Sequence, residues 1–201
     1  PLAFSNYAMK TLFITDIVSI GGTTTYLENI TNAYALNGHQ LSLIAFSENR
    51  EIEPSVTQFG FKKILFIRKT RSFRPIFIIE RTIKLYFCLK KFLATNQVDS
   101  ILIDLIFPAF SLLVVRSLFA KELKNVKIIY QFHGFDSLEK GYEISSLNWK
   151  QQFKHYRKKL RLSIDAWILT TLPDTIIVFS NYAAQLLREN HVGTSILQIK
   201  P

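Results

Sequence analysis

The sequence contains a single cysteine, Cys88, among its 201 residues. One cysteine excludes an internal disulfide and a cysteine-based metal cluster, because both need several thiols. Long apolar runs are also missing, since the two longest, 101–115 and 164–179, are interrupted by aspartate and proline. Neither run reaches the roughly 18 uninterrupted apolar residues of a membrane-spanning helix. We therefore expect no transmembrane helix, and we expect the cytoplasm as the compartment.

The first residues carry neither a basic segment before an apolar run nor a small-residue cleavage pattern. They therefore do not resemble a signal peptide, and we expect Met9 to be the natural start and residues 1–8 an added leader. Linker-like tracts are scarce as well. With 48% hydrophobic residues the chain is long enough for a substantial core, so we predict one domain over residues 9–201.

Acidic residues are few: 15 stand against 25 lysines and arginines, for a net charge of +10. The excess lies in two segments. Residues 62–91 contain ten basic residues and one acid, and residues 150–161 contain six basic residues and no acid. Clusters of this kind are either solvated or bind an anionic partner.

Strand-like and helix-like apolar patterns alternate along the chain. We predict strands at 10–15, 40–46, 62–67, 100–104, 126–132, 175–179 and 195–199, and helices at 23–37, 75–94, 109–123, 146–171 and 181–190. This alternation predicts a doubly wound parallel sheet, a Rossmann-like α/β domain. Ligands of such sheets bind beyond the carboxyl ends of the strands, where residues 16–22, 104–108, 133–136 and Ser180 are expected.

The first candidate site is the glycine pair Gly21 and Gly22, which follows the first strand and precedes Thr23. Neither a GxGxxG fingerprint nor a Walker lysine accompanies the pair. A helix that begins at such a turn can bind a phosphate with its free N–H groups. The alternative is a plain turn in which Thr23 caps the helix.

The second candidate site is the segment YQFHGFD, which places His133 and Asp136 just past a predicted strand. A histidine can transfer a proton near neutral pH, and a carboxylate three residues later can orient it or bind sugar hydroxyls. The alternative is a loop histidine that bonds to nearby backbone. The four histidines show no metal-ligand spacing, so we expect no metal site. Ser180 lacks the GxSxG motif of a hydrolase.

The helix predicted at 146–171 has apolar residues at spacings of three and four from Phe153 to Trp167. Its other side carries the basic residues Lys150, Lys154, Arg157, Lys158 and Arg161. This pattern is typical of a helix that lies on an anionic membrane. The alternative is an ordinary helix whose aromatic stripe belongs to the core and whose charges are solvated. No nucleic-acid-binding motif accompanies the charge, so we expect no nucleic-acid partner.

Three segments occur in the order found in one family. They are GGTTTYLENITNAYALNGHQLSLIAF, HGFD and PDTIIVFSNYAAQLL, within residues 10–201. Together they resemble the N-terminal domain of a GT-B glycosyltransferase of family 4. The resemblance implies retaining, metal-independent sugar transfer between two Rossmann-like domains, with a nucleotide-sugar as donor substrate and no further cofactor.

By this resemblance, the backbone at Gly21 and Gly22 approaches the donor diphosphate, His133 contacts the transferring sugar, and Asp136 supports its loop. The C-terminal donor-binding domain is expected to be absent from this chain, which alone should not turn over. An envelope glycan, a lipid-linked sugar or a polysaccharide is the expected acceptor, at the inner membrane surface. A non-catalytic Rossmann-like module that binds a polyanion or an anionic membrane remains the alternative.

Overall fold

The structure is a computed structural model, and it describes residues 8–17, 22–47, 52–68, 74–134 and 149–199. These residues form seven strands: β1 (Lys10–Ile17), β2 (Gln40–Ser47), β3 (Ile64–Arg68), β4 (Ser100–Ile103), β5 (Lys127–Phe132), β6 (Thr175–Val178) and β7 (Ser195–Gln198). They also form six α-helices: α1 (Gly22–Leu36), α2 (Ile52–Thr57), α3 (Arg74–Leu93), α4 (Ile106–Arg116), α5 (Trp149–Thr171) and α6 (Asn181–Glu189).

The strands follow the order β3-β2-β1-β4-β5-β6-β7. The first four positions repeat the strand order of dinucleotide-binding domains, in which the sheet grows in one direction from β1 and then in the other. The order and the helical connections confirm the predicted doubly wound, Rossmann-like parallel sheet. The chain divides into two compact units, Pro1–Ile128 and Ile129–Pro201.

In the first unit β1 is the central strand, parallel to β2 on one side and to β4 on the other. Its residues from Thr11 to Ile17 are all buried. A parallel strand that is covered on both faces needs apolar residues in succession instead of alternation, and the runs Leu12–Ile14 of β1 and Leu43–Phe46 of β2 follow that rule. The carboxyl ends of β1 and β4 are therefore neighbours at the point where the strand order reverses.

The turn between α1 and β2 depends on one glycine. Gly38 has a φ of 70°, in the left-handed region that favours glycine. Its N–H donates to the carbonyl of Ala35, and the N–H of His39 donates to that of Tyr34. These bonds satisfy the last carbonyls of α1, so the chain enters β2 two residues later, as the NGH sequence predicts.

In the second unit β6 lies between β5 and β7 and is parallel to both. Ser180 follows β6 and caps α6, since its Oγ accepts a hydrogen bond of 3.0 Å from the N–H of Ala183. The serine that the sequence placed at the carboxyl edge of the sheet therefore has a structural role at the start of a helix.

The structure differs from the sequence prediction at two helices. The short helix α2 was not predicted, because its six residues are too few to show an apolar period. Helix α4 begins at Ile106 and ends at Arg116, followed by a 3-10 turn at Ser117–Phe119, instead of running from 109 to 123. Pro108 lies in its first turn, where no N–H is needed for a helical bond. The proline therefore does not mark where the helix starts.

Among the described residues, none of the helices combines the length and the apolar character that crossing a bilayer requires.

Candidate functional site

Two aspartates end the neighbouring strands of the first unit. Asp16 is the last residue but one of β1, and Asp104 directly follows β4. Each has only 7% of its surface exposed. Carboxyl groups are rarely buried to this degree unless they are paired or bound. The carboxyl edge at the reversal of strand order, where ligands of such sheets bind, thus contains two buried acids.

Arg81 brings the compensating charge from α3. It is 4% exposed, and its Nη2 lies 2.5 Å from Oδ2 of Asp16. Its guanidinium stacks 4.5 Å from the ring centroid of Phe46 on β2 and lies 5.9 Å from that of Phe107 on α4. An arginine can pair with a carboxylate and stack on aromatic faces at the same time. Arg81 therefore connects the carboxyl ends of β1 and β2 with two helices.

Asp104 has a different environment. Thr15 donates a hydrogen bond of 2.9 Å to its Oδ2, and its Oδ1 is buried with no hydrogen-bond partner in the described part of the chain. Burial raises the pKa of Asp104 to about 7; the Thr15 hydrogen bond opposes the shift, and the nearby Asp16 charge adds to it. Asp104 can therefore exchange a proton near neutral pH, a property that is common in functional sites.

His133 directly follows β5 in the second unit. Its ring stacks against Phe179, with the ring centroids 6.3 Å apart and the planes at 28°. Partial burial lowers the pKa of His133 below its ordinary value, so the neutral imidazole predominates at pH 7. Gly134 comes next with a φ of 145°, which a side chain would strain. The backbone conformation directly after His133 therefore favours glycine.

The other predicted ligand contacts are described only in part. Helix α1 begins at Gly22, the second glycine of the pair, one residue earlier than predicted, and Thr23 is its second residue. Gly21, Asp136 and the side chain of Thr23 lie outside the described residues. Gly22 belongs to the first compact unit and His133 to the second. Their roles in ligand binding stay predictions.

The basic residues predicted to form a surface all lie on α5. Arg157 and Arg161 are exposed and Lys158 is half-buried, whereas the side chains of Lys150 and Lys154 lie outside the described residues. The apolar positions of the same helix are exposed too: 69% of Tyr156, 63% of Leu160, 43% of Ile164 and 55% of Trp167. The interpretation of this stripe as core is therefore wrong for these four residues.

Several basic residues of segment 62–91 have partners within the fold. Arg81 is buried against Asp16, Lys84 Nζ lies 2.5 Å from Glu80, and Lys63 lies 5.3 Å over the ring of Phe92. Cys88 is half-buried, and burial raises the pKa of its thiol, which fits a packing role. Neither feature identifies a site for an anionic partner.

Sequence reasoning missed Arg81, Asp16 and Asp104 as a cluster. The signal for the acids was present, because each ends or follows a buried strand on either side of the reversal in strand order. The signal for Arg81 was its helical position, since it shares the buried face of α3 with Leu85 and Leu89 at steps of four. Because Arg81 also belongs to the basic segment 62–91, its place on the buried face of α3 was overlooked.

The described ranges contain no group of three or more His, Cys, Asp or Glu side chains that could hold a metal ion.

The sequence matches the model of one protein family. The family model described as Glycosyltransferase Family 4 matches residues 20–196. No protein of curated function matches the sequence.

Solved structures share the fold. The chain is similar to sucrose-phosphate synthase from Thermosynechococcus elongatus, with a TM-score of 0.63 and 16% identity over 96% of this chain and 48% of that chain. It is similar to a UDP-glucosyltransferase from Polygonum tinctorium, with a TM-score of 0.61 and 10% identity over 97% and 52%. It is also similar to a UGT transferase from Siraitia grosvenorii in complex with UDP, with a TM-score of 0.56 and 13% identity over 94% and 50%. The chain thus spans about half the length of each.

Proposed function

The chain belongs to Glycosyltransferase Family 4, and from this premise we propose that residues 9–201 are the acceptor-side N-terminal domain of a retaining glycosyltransferase. The enzyme moves a sugar from a nucleotide-sugar donor to an envelope glycan, a lipid-linked sugar or a polysaccharide. The observation that carries the proposal is the family match over residues 20–196 on a Rossmann-like sheet. A donor-binding C-terminal domain completes the site, because the chain spans only about half of similar solved structures.

The donor diphosphate faces Gly21, Gly22 and Thr23. Helix α1 begins at Gly22, and the first N–H groups of a helix have no partner within it. Together with the helix dipole they favour a phosphate at this position. A nucleotide as ligand is supported by the similar Siraitia grosvenorii structure, which holds UDP.

His133 contacts the transferring sugar, and Asp136 supports its loop. The position of His133 directly after a parallel strand and its stacking on Phe179 favour a fixed ring. A neutral imidazole can both donate and accept a hydrogen bond, so it can bind a sugar hydroxyl or the leaving oxygen without adding charge. The reaction needs no metal and no further cofactor.

The protein works at the inner surface of the membrane, where the basic side chains of α5 approach anionic groups: Lys150, Lys154, Arg157, Lys158 and Arg161. The exposure of Arg157 and Arg161 supports this placement. The same observation favours a second candidate function, a non-catalytic module that binds a polyanion or an anionic membrane. Nucleic acid is not proposed as a partner.

The test is an assay of the full-length protein against a panel of nucleotide sugars, with the anomeric configuration of the product determined by NMR. We expect transfer with retention from at least one donor, unchanged by a metal chelator. Transfer with inversion would contradict the retaining mechanism. A well-folded protein that uses none of the donors would favour the non-catalytic module.

The role of His133 is tested in the same assay. We expect His133→Ala to abolish transfer while the circular dichroism spectrum stays that of the wild type. The matched control is His191→Ala, which removes an exposed imidazole at the end of α6 and should transfer normally. Normal transfer by His133→Ala would remove His133 from the site.

A further inference from the structure

Helix α5 exposes a continuous apolar stripe in addition to its basic residues. Tyr156, Leu160, Ile164 and Trp167 follow at steps of four, four and three, and each exposes more than two-fifths of its surface. Stepping about 100° per residue places all four within an arc of about 80° on one side of the helix. Single exposed apolar residues are ordinary, but a contiguous stripe marks an interaction surface.

The stripe is a second apolar side of α5, because the helix already has one side in the core. Ile168 and Leu169 are buried, as is Leu172 just beyond the helix. A surface helix needs only one apolar side to pack against its own domain. The stripe lies outside this buried side, and a large part of its apolar surface faces water.

Basic side chains border the stripe. By the same helical geometry Arg157 lies just beyond one border and Lys159 beyond the other, and both are exposed. The one acid of the helix, Asp165, is 7% exposed and pairs with Arg161 at 3.9 Å. The exposed side of the described part of α5 thus presents apolar groups, cations and the hydroxyls of Ser163, Thr170 and Thr171, and no acid.

We propose that α5 lies in the interface of an anionic bilayer, with Leu160 and Ile164 among the acyl chains. Tyr156 and Trp167 then lie at the boundary between acyl chains and headgroups, and Arg157 and Lys159 at the phosphates. This inference rests on the proposed function only in naming lipid as the partner of the basic surface. Tyrosine and tryptophan favour the boundary between headgroups and acyl chains, and burial of the apolar stripe adds to the electrostatic attraction.

An anionic bilayer accounts for both the apolar stripe and the basic side chains that border it. A soluble polyanion would bind the basic side chains and leave Leu160 and Ile164 in water. A protein partner would bury the stripe but gives no reason for cations on both borders without an exposed acid. Helix α3 offers an internal comparison: it also exposes apolar side chains, Ile79, Ile83 and Phe87, but the acid Glu80 lies on the same helix and pairs with Lys84.

The experiment measures sedimentation of the full-length protein with vesicles of phosphatidylcholine, with and without phosphatidylglycerol. We expect binding to the anionic vesicles, weakened by salt. The double variant Leu160→Gln/Ile164→Gln should lose at least tenfold in affinity, because two apolar side chains no longer leave water. The matched control, Ile79→Gln/Ile83→Gln on α3, makes the same chemical change on another helix and should bind as the wild type does.

A second measurement reports how deeply α5 enters the bilayer. Phospholipids whose acyl chains are brominated near the headgroup should quench the tryptophan fluorescence of the wild type more strongly than that of Trp167→Phe, because Trp167 lies at the upper end of the chains. Equal quenching of the two proteins would overturn the proposal, as would unchanged vesicle binding by the stripe variant. Polyphosphate that binds as tightly as the vesicles, with the stripe variant unaffected, would assign the surface to a soluble polyanion.

These outcomes are independent of sugar transfer. If the full-length protein transfers no sugar but the stripe variant still loses vesicle binding, the membrane inference stands and the enzymatic proposal fails. Suppose instead that transfer is normal, that the stripe variant binds vesicles as the wild type does, and that Trp167→Phe is quenched as strongly as the wild type. In that case only the membrane inference fails.

Discussion

The carboxyl ends of the strands are organised differently in the two units. In the first unit charged groups are buried at this edge: Asp16 pairs with Arg81, and Asp104 accepts from Thr15. In the second unit His133 and Ser180 are exposed, held by ring stacking and by a helix cap. A buried charge depends on its partner, whereas an exposed loop depends on its local backbone conformation. The two edges should therefore respond to different substitutions.

The largest expected effect is at Arg81. Replacing it by methionine in Arg81→Met removes the cation 2.5 Å from the buried Asp16 carboxylate. Removing one partner of a buried pair costs about 3 to 5 kcal/mol, measurable as the free energy of unfolding in urea. The control is Arg68→Met, whose pair with Glu53 at 3.6 Å is largely exposed on the arginine side and should cost less than about 1 kcal/mol.

Adding Asp16→Asn to Arg81→Met tests the cause of that loss. The second change removes the charge that the first one leaves in the core, so part of the lost stability should return. Equal losses in the single and double variants would mean that Arg81 stabilises the edge by packing on Phe46 instead of by its charge.

The second effect is a pH dependence at the same edge. Burial raises the pKa of Asp104 from 3.8 to about 7, so the folded state binds this proton more tightly than the unfolded state. The resulting stability is complete below pH 3.8 and is lost as the pH rises to about 7. At 1.36 kcal/mol for each pKa unit, the loss is at most about 4 kcal/mol.

Asp104→Asn removes this titration. We expect the fall in the free energy of unfolding between pH 4 and pH 7 to be smaller in the variant than in the wild type, followed by urea unfolding at several pH values. Parallel curves for the two proteins would show that Asp104 ionises in the fold as it does in water.

The third effect concerns the backbone at the other edge. Gly134 has a φ of 145°, so a side chain introduced by Gly134→Ala forces strain of about 1 to 3 kcal/mol or moves the loop. Gly193→Ala is the control, because Gly193 has no such φ and an added Cβ meets no atom within 4 Å. If both variants unfold at the wild-type urea concentration, the conformation at Gly134 is not a constraint on His133.

The sequence predicts the sheet well because its strands are buried on both faces and therefore read as short apolar runs. The runs ending at Asp16 and Asp104 also place those acids at the carboxyl edge. Which charge compensates them could not be predicted, since the contact between Asp16 and Arg81 spans 65 residues. The sequence left the exposure of the α5 stripe open for a related reason: its spacing fits a core-facing side and a partner-facing side equally well.

The smallest effect is expected at Ser180. Its Oγ accepts from the N–H of Ala183 at the start of α6, and loss of such a cap in Ser180→Ala costs about 1 kcal/mol. Ser163→Ala is the matched control, because the Ser163 hydroxyl donates to the Lys159 carbonyl within α5, whose backbone is already bonded, and its removal should change stability by less than about 0.5 kcal/mol. Since a helix cap acts through one neutral hydrogen bond, the Ser180→Ala loss should not vary between pH 5 and pH 8. A loss that did vary would mean that the titration of His133 reaches this cap, and the contrast between an edge held by buried charge and one held by neutral contacts would no longer hold.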